Sequence, residues 1–217
     1  MEKFKKNLKW FILGICIIIF GLILIAITKF KVLPIDTWTI NLMVNSARRE
    51  WLTVFFKIFT FFGEAKLLVP LGAIGAIIGF FVFKDHLRAS CYICNLIIIS
   101  GLNWTIKHIV QRPRPEESLR LVEEDGYSFP SGHAMITTAF YGLLIYYLWN
   151  HTDNKVLRNC ICIGLTLLIV LIDFSRVYLG VHYLSDVLAG SLLSISYLII
   201  AVEFAKAFIF KEEKSRH

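Results

Sequence analysis

Apolar residues in this chain come in runs long enough to cross a bilayer, and the runs recur along its length. A hydrocarbon core about 30 Å thick needs about 20 helical residues to span it. Inside it every backbone polar group must find its partner within the protein, so a chain of this kind folds into helices or a closed barrel. The runs read as Trp10 to Thr28, Leu67 to Phe83, Ala89 to Ile106, Gly132 to Trp149, Val156 to Ile172 and Val187 to Phe210. They are far longer than barrel strands. The expected fold class is therefore all-α: a polytopic membrane protein with a bundle of six transmembrane helices. Its 217 residues suit one compact unit over 1–217, with no internal repeat and no low-complexity tract. A hydrophobic content of 57% and a mean hydropathy of +0.66 exclude an ordinary soluble domain.

The first run competes with a signal peptide, but it exceeds a typical signal core, and "AITKFK" offers no small-x-small cleavage site. The fifth is the least regular, with Arg158 and Asn159 at its start and Asp173 at its end. Trp51 to Gly63 is apolar but too short to span, and it is flanked by "ARRE" and "GEAK". Trp51, Val54, Phe55, Ile58 and Phe62 keep helical spacing, which predicts a short helix lying along the interface before the second span.

Orientation follows from basic residues in the short loops. Lys3, Lys5, Lys6 and Lys9 precede span one, and Lys84 and Arg88 join spans two and three. Lys155 and Arg158 join spans four and five; Lys211, Lys214 and Arg216 follow span six. Six crossings put all four groups on one side, which the positive-inside rule makes the cytoplasm, with both termini there. The net charge of +7 fits cytoplasmic ends and anionic lipid better than nucleic acid. Five cysteines, Cys16, Cys91, Cys94, Cys160 and Cys162, all fall in apolar runs. Without a second pair nearby, Cys91-x-x-Cys94 reads as small helix residues and not as a zinc or redox motif.

Three polar stretches stand at outer span ends. "KHIVQRPRP" (Lys107 to Pro115) closes span three, "PSGH" (Pro130 to His133) opens span four, and "SRVYLGVHYLSD" (Ser175 to Asp186) links spans five and six. A charge at mid-membrane costs roughly 2.5–3.5 kcal/mol on insertion scales, so span ends are their expected place. That all three fall on one side is the informative part. The residue types suit a phosphate. Lys107 supplies a point charge, and Arg114 and Arg176 supply planar forks. Pro113 and Pro115 stop the third span. Ser131 and Gly132 sit at a helix start, where unpaired N–H groups and the dipole favour an anion. His182 and Asp186 are spaced i, i+4. On one helical turn the carboxylate would hold one ring nitrogen and leave the other free to attack. His133, beside the anion seat, is placed to protonate a leaving oxygen.

Taken singly, each piece has an ordinary explanation: a snorkelling cation, a capped helix, a structural His–Asp pair. A zinc site on His133, His182 and Asp186 is a further possibility that three neighbouring cations oppose. Together, Lys107-x6-Arg114-Pro115, Pro130-Ser131-Gly132-His133 and Ser175-Arg176-x5-His182-x3-Asp186 resemble the type 2 phosphatidic acid phosphatase superfamily. The motifs cover about half the chain, and the six-span layout is similar to that of the family's membrane members. The resemblance implies that His182 is a nucleophile forming a phosphohistidine, supported by Asp186, with His133 as general acid. It implies that Lys107, Arg114, Ser131, Gly132 and Arg176 bind phosphate, with neither cofactor nor metal. Arg112-Pro113 repeats the Arg-Pro step, so Arg112 is an alternative phosphate ligand, although spacing favours Arg114. Soluble relatives include vanadium haloperoxidases, which the spans here disfavour.

The function so implied is hydrolysis of a membrane lipid phosphate or diphosphate at the outer face of the cell membrane. Small size and simple motif layout favour phosphatidylglycerolphosphate, ahead of undecaprenyl diphosphate and phosphatidic acid. A lipid phosphotransferase, or a non-catalytic lipid-phosphate binder, is the reading from another class. Outside the motifs, Glu203 and Lys206 are expected to pair at i, i+3. The acidic run Glu116, Glu117, Glu123, Glu124, Asp125 reads either as a solvated loop or as a cover over the site. Asp173 reads as a partner for a site cation or as a span-end cap.

Overall fold

In a computed structural model the backbone is described for residues 2–81 and 86–215. Val82, Phe83, Lys84 and Arg216, which the span and loop expectations used, lie outside the described residues, as do the side chains of Lys3, Lys5, Lys6, Arg88, Lys211 and Lys214. The described residues form eight α-helices and no strand: α1 Glu2–Phe30, α2 Pro34–Asn41, α3 Glu50–Phe61, α4 Ala65–Phe81, α5 His86–Val110, α6 Gly132–His151, α7 Lys155–Tyr178 and α8 Leu184–Ser215. A π-helical turn, Leu42–Ala47, links α2 to the segment before α3.

Helix α6 is the centre. It packs on α7, α8 and α5, and touches α4. Outer pairs complete the bundle: α1 lies along α8, α4 along α5, and α3 against α7. Five helical segments are long and apolar enough to cross a membrane: Asn7–Phe30, Glu50–Phe81, Ser90–Val110, Lys155–Tyr178 and Leu184–Lys206. The expected fourth span, now α6, is not among them. Its polar face accounts for that: Thr137, Thr138 and Tyr141 are buried against neighbouring helices, so α6 does not need the apolarity of a lipid-facing helix. Lipid-facing residues sit on the periphery, where Ile18, Leu22, Ile25, Ile77, Phe81 and Ile97 are exposed.

The segment expected to lie along the interface is α3, and it continues through a turn at Phe62–Glu64 into α4, so that Glu50–Phe81 forms one candidate crossing and not an interfacial helix followed by a separate span. Trp51, Val54, Phe55, Ile58 and Phe62 are exposed, as a membrane-facing stripe requires. The opposite face is buried through Phe56 and Thr60. Phe56 stacks obliquely on Tyr178, with ring centroids 4.6 Å apart, and the Tyr141 hydroxyl donates to Phe62 O at 2.9 Å. At Gly63 an added Cβ would lie 2.6 Å from Ile172 Cγ2 and 3.0 Å from His133 Cδ2, so only glycine lets the turn come this close.

At the far end, the expected Glu203–Lys206 pair forms at 3.1 Å, and Lys9 also reaches Glu203. Asp173 does not meet a site cation. It accepts a hydrogen bond from Ser191 Oγ at 2.7 Å and so ties α7 to α8.

Candidate active site

The end of α5, the start of α6, the end of α7 and the start of α8 meet at one end of the bundle, and each brings one of the three motifs. Helix α5 stops at Val110, and Gln111 takes a left-handed conformation (φ 50°) that turns the chain into Arg112-Pro113-Arg114-Pro115. Helix α6 is capped by Ser131, whose hydroxyl accepts from Ala134 N at 3.4 Å, while Ser131 N donates to Asp186 O at 3.1 Å. That leaves the amides of Gly132 and His133 as the open donors of this helix start. Behind the loop, Asn103 Nδ2 donates to Pro130 O at 3.2 Å and fixes the approach to α6.

His182 lies just before α8, not inside it, so the i, i+4 pair spans the helix boundary and is not stacked on one turn. Its Nε2 faces Arg114 Nη1 at 3.0 Å, and its Nδ1 faces Asp186 Oδ2 at 3.5 Å. Because arginine can only donate, Nε2 is the acceptor and the ring proton falls on Nδ1. Burial, then the charges of Arg114, Arg176 and Lys107, push the His182 imidazole well below its usual range, so it is neutral. The Asp186 carboxylate is fully buried and held on both oxygens. Tyr183 N donates to Oδ2 at 2.9 Å, and Arg112 Nη1 bonds Oδ1.

The two candidate arginines part here. Arg114 points at His182 Nε2, with Val181 O at 3.0 Å, Gly126 O at 3.1 Å and Asp125 O at 2.9 Å as its other acceptors. Burial, with Arg176 nearby and Glu124 opposing, lowers the Arg114 guanidinium from its usual range without discharging it. Arg112 instead lies behind the histidine, bridging Asp186 and Asp36 and lying 4.2 Å from the Tyr183 ring centroid. Arg176 is 2% exposed, donates to Thr60 Oγ1 at 2.7 Å, and pairs with Glu124. Lys107 Nζ bonds Tyr127 O. His133 is half-buried, next to the α3–α4 turn.

Three participants escaped the sequence reading. Asp36 is fully buried on Arg112 and Ser185, Ser185 links both, and Thr60 orients Arg176. Asp36 had one signal, an acid three residues after Leu33 at a Pro-started helix, and that signal points only to a cap. The acidic run divides: Glu124 sits on Arg176 and 3.7 Å from Arg114, while Glu123 and Asp125 are exposed. No group of three or more His, Cys, Asp or Glu among the described residues is arranged to hold a metal. Chemically, the arrangement is a neutral imidazole with one nitrogen backed by a carboxylate and the other opening on a ring of cations. That suits nucleophilic attack on a phosphoryl group.

Known proteins place this geometry. The model of the PAP2 superfamily matches residues 88–210. Mouse dolichyldiphosphatase 1 is 31% identical over 156 residues, covering 65% of this chain and 66%, just under two thirds, of its own length. Phosphatidylglycerophosphatase B of Bacillus subtilis (strain 168) is 31% identical over 159 residues, covering 72% of this chain and 77% of that one. The crystal structure of a transmembrane PAP2 type phosphatidylglycerolphosphate phosphatase from Bacillus subtilis superposes with a TM-score of 0.80 at 27% identity, over 90% of this chain and 96% of the other.

Proposed function

The chain belongs to the PAP2 superfamily, and from that premise we propose that it is an integral-membrane lipid phosphatase working through a phosphohistidine. His182 Nε2 attacks phosphorus, and the bond from phosphorus to the leaving oxygen breaks. His133 relays to that oxygen a proton that the bound phosphate monoanion brings into the site. Water then attacks phosphorus while His133 takes its proton, the phosphorus–nitrogen bond breaks, and the proton leaves with inorganic phosphate, which restores both histidines. Lys107, Arg114, Arg176 and the amides of Gly132 and His133 hold the phosphoryl oxygens where charge builds up. Asp186 steadies the Nδ1–H of the ring as it turns cationic.

The observation that carries this reading is the position of His182. Its attacking nitrogen lies 3.0 Å from a phosphate-binding arginine while its other nitrogen faces a buried carboxylate. A binder needs the cations but not a supported nucleophile. The favoured substrate is phosphatidylglycerolphosphate, the substrate named for the Bacillus relative and neighbour. A polyprenyl diphosphate is the second reading, because the mouse relative is named a dolichyldiphosphatase. The site would open at the outer face of the cell membrane, with both termini cytoplasmic.

The test is free-phosphate release by purified protein in EDTA from phosphatidylglycerolphosphate, undecaprenyl diphosphate and phosphatidic acid. Release that persists in chelator and vanishes in His182→Ala is expected. Phosphate appearing only on an added acceptor would make the protein a transferase, and no turnover with tight lipid-phosphate binding would make it a binder.

A further inference from the structure

The family match begins at residue 88, yet the carboxylate behind the histidine is held by a group from far upstream. Asp36 lies in α2, is 0% exposed, and has no access to substrate. Its Oδ2 accepts from Arg112 Nη2 at 2.7 Å, Ser185 Oγ at 2.8 Å and Leu33 N at 3.1 Å. Its Oδ1 accepts from Ser185 N at 2.9 Å. Arg112 is also anchored by Lys31 O at 2.7 Å, and its Nη1 reaches both Ser185 Oγ at 2.8 Å and Asp186 Oδ1. One buried guanidinium thus joins two buried carboxylates, one of which faces His182.

Two effects follow. Arg112 fixes Asp186 Oδ1, which turns Oδ2 toward the imidazole. A lone arginine there would also cancel the charge of Asp186. With Asp36 present the trio Asp36, Arg112 and Asp186 keeps one negative charge beside a ring that becomes cationic when Nε2 takes the phosphoryl group. We propose that Asp36 is a positioning residue that acts through Arg112 on Asp186, making the α1–α2 segment part of the catalytic apparatus. This rests on the phosphatase reading above. The bland alternative is that Asp36 only caps α2 and anchors α8.

Steady-state phosphate release separates the two. Asp36→Asn keeps the shape and an acceptor for Ser185 N but removes the charge. The expected result is a fall in kcat of about 10- to 100-fold, the range that supporting partners of a reactive group command. KM and the Ki of inorganic phosphate stay within about twofold, because Lys107, Arg114 and Arg176 are untouched. Because Asp36 acts through Arg112, adding Asp36→Asn to Arg112→Gln should lower kcat little further than Arg112→Gln alone. An unchanged kcat in Asp36→Asn, or a loss on adding it to Arg112→Gln as large as its loss in the wild type, overturns the inference. Should Asp36→Asn not survive purification, Ser185→Ala poses the same question. Loss of the shared hydroxyl should lower kcat several-fold at constant KM, and an unchanged kcat overturns the inference. A wild-type protein that releases no phosphate from any lipid phosphate ends the phosphatase reading itself; an active wild type with an unimpaired Asp36→Asn ends only this one.

Discussion

The neutral state of His182 has a measurable cost in acid. An unfolded chain takes up a proton there as pH falls through about 6.5, while the buried ring, facing Arg114, Arg176 and Lys107, stays neutral to lower pH. Below that value the unfolded state binds more protons, so stability falls as pH falls, by up to about 1.4 kcal/mol per unit from this one site. Going from pH 7.5 to 5.5 in detergent, the wild-type Tm should drop further than that of His182→Asn. Equal drops would mean that the native ring is charged. Glu124 makes a second prediction, since its carboxylate sits where phosphate oxygens would sit on Arg176. The side chain is 29% exposed, so the competition is worth about 1 kcal/mol, and Glu124→Gln should bind inorganic phosphate about fivefold more tightly. Weaker binding would show that Glu124 orients Arg176 instead of blocking it. The convergence of the motifs was legible in their residue types and spacing, and the structure brings Arg114 to His182 while Arg112 lies on Asp186 and Asp36. Asp36 was not legible: a lone acid in "LPIDTW" shows its partner only once folding brings Arg112 across 76 positions to it.

Among the elements, the helices were legible because lipid forces backbone self-satisfaction and leaves long apolar runs as its trace. What periodicity missed was the second face of α3. Its exposed stripe dominates the pattern, while the face that meets the site consists of Phe56, Thr60 and Gly63, an unremarkable set in sequence. Helix α6 falls short of the hydropathy of the candidate spans because it is enclosed by α5, α7 and α8 and carries polar groups a peripheral helix would not. Gly63 tests the α3–α4 turn. In Gly63→Ala the new Cβ meets Ile172 at 2.6 Å and both His133 and Thr137 at 3.0 Å, so the turn must move off His133. Overpacking of this kind costs about 1–3 kcal/mol, so both Tm and kcat should fall. Gly75→Ala, in α4, meets nothing within 4 Å and should keep both. If the two variants behave alike, the close approach at Gly63 has no role.

Over the whole molecule, two ends of different character are set apart by the 20 residues of α6, about 30 Å of helix. One end holds Lys107, Arg112, Arg114 and Arg176, each engaged with a carboxylate, a carbonyl or the histidine. At the other, Lys155 is exposed in the first turn of α7 and Arg158 lies over Trp149 at 4.4 Å. This explains why a plain count of basic residues does not orient the chain. Several cations at the site end are occupied by the site, so they carry no weight in the positive-inside rule. In the proposed orientation the site end lies outside, where a lipid phosphate would enter from the outer leaflet. In a background without the five native cysteines, Glu123→Cys, exposed in the acidic loop, should react with a membrane-impermeant maleimide on intact cells. Asp153→Cys, exposed in the loop between α6 and α7, should react only after permeabilisation. The reverse pattern would put the site in the cytoplasm and make its substrates inner-leaflet lipids, with the chemistry at His182 unchanged.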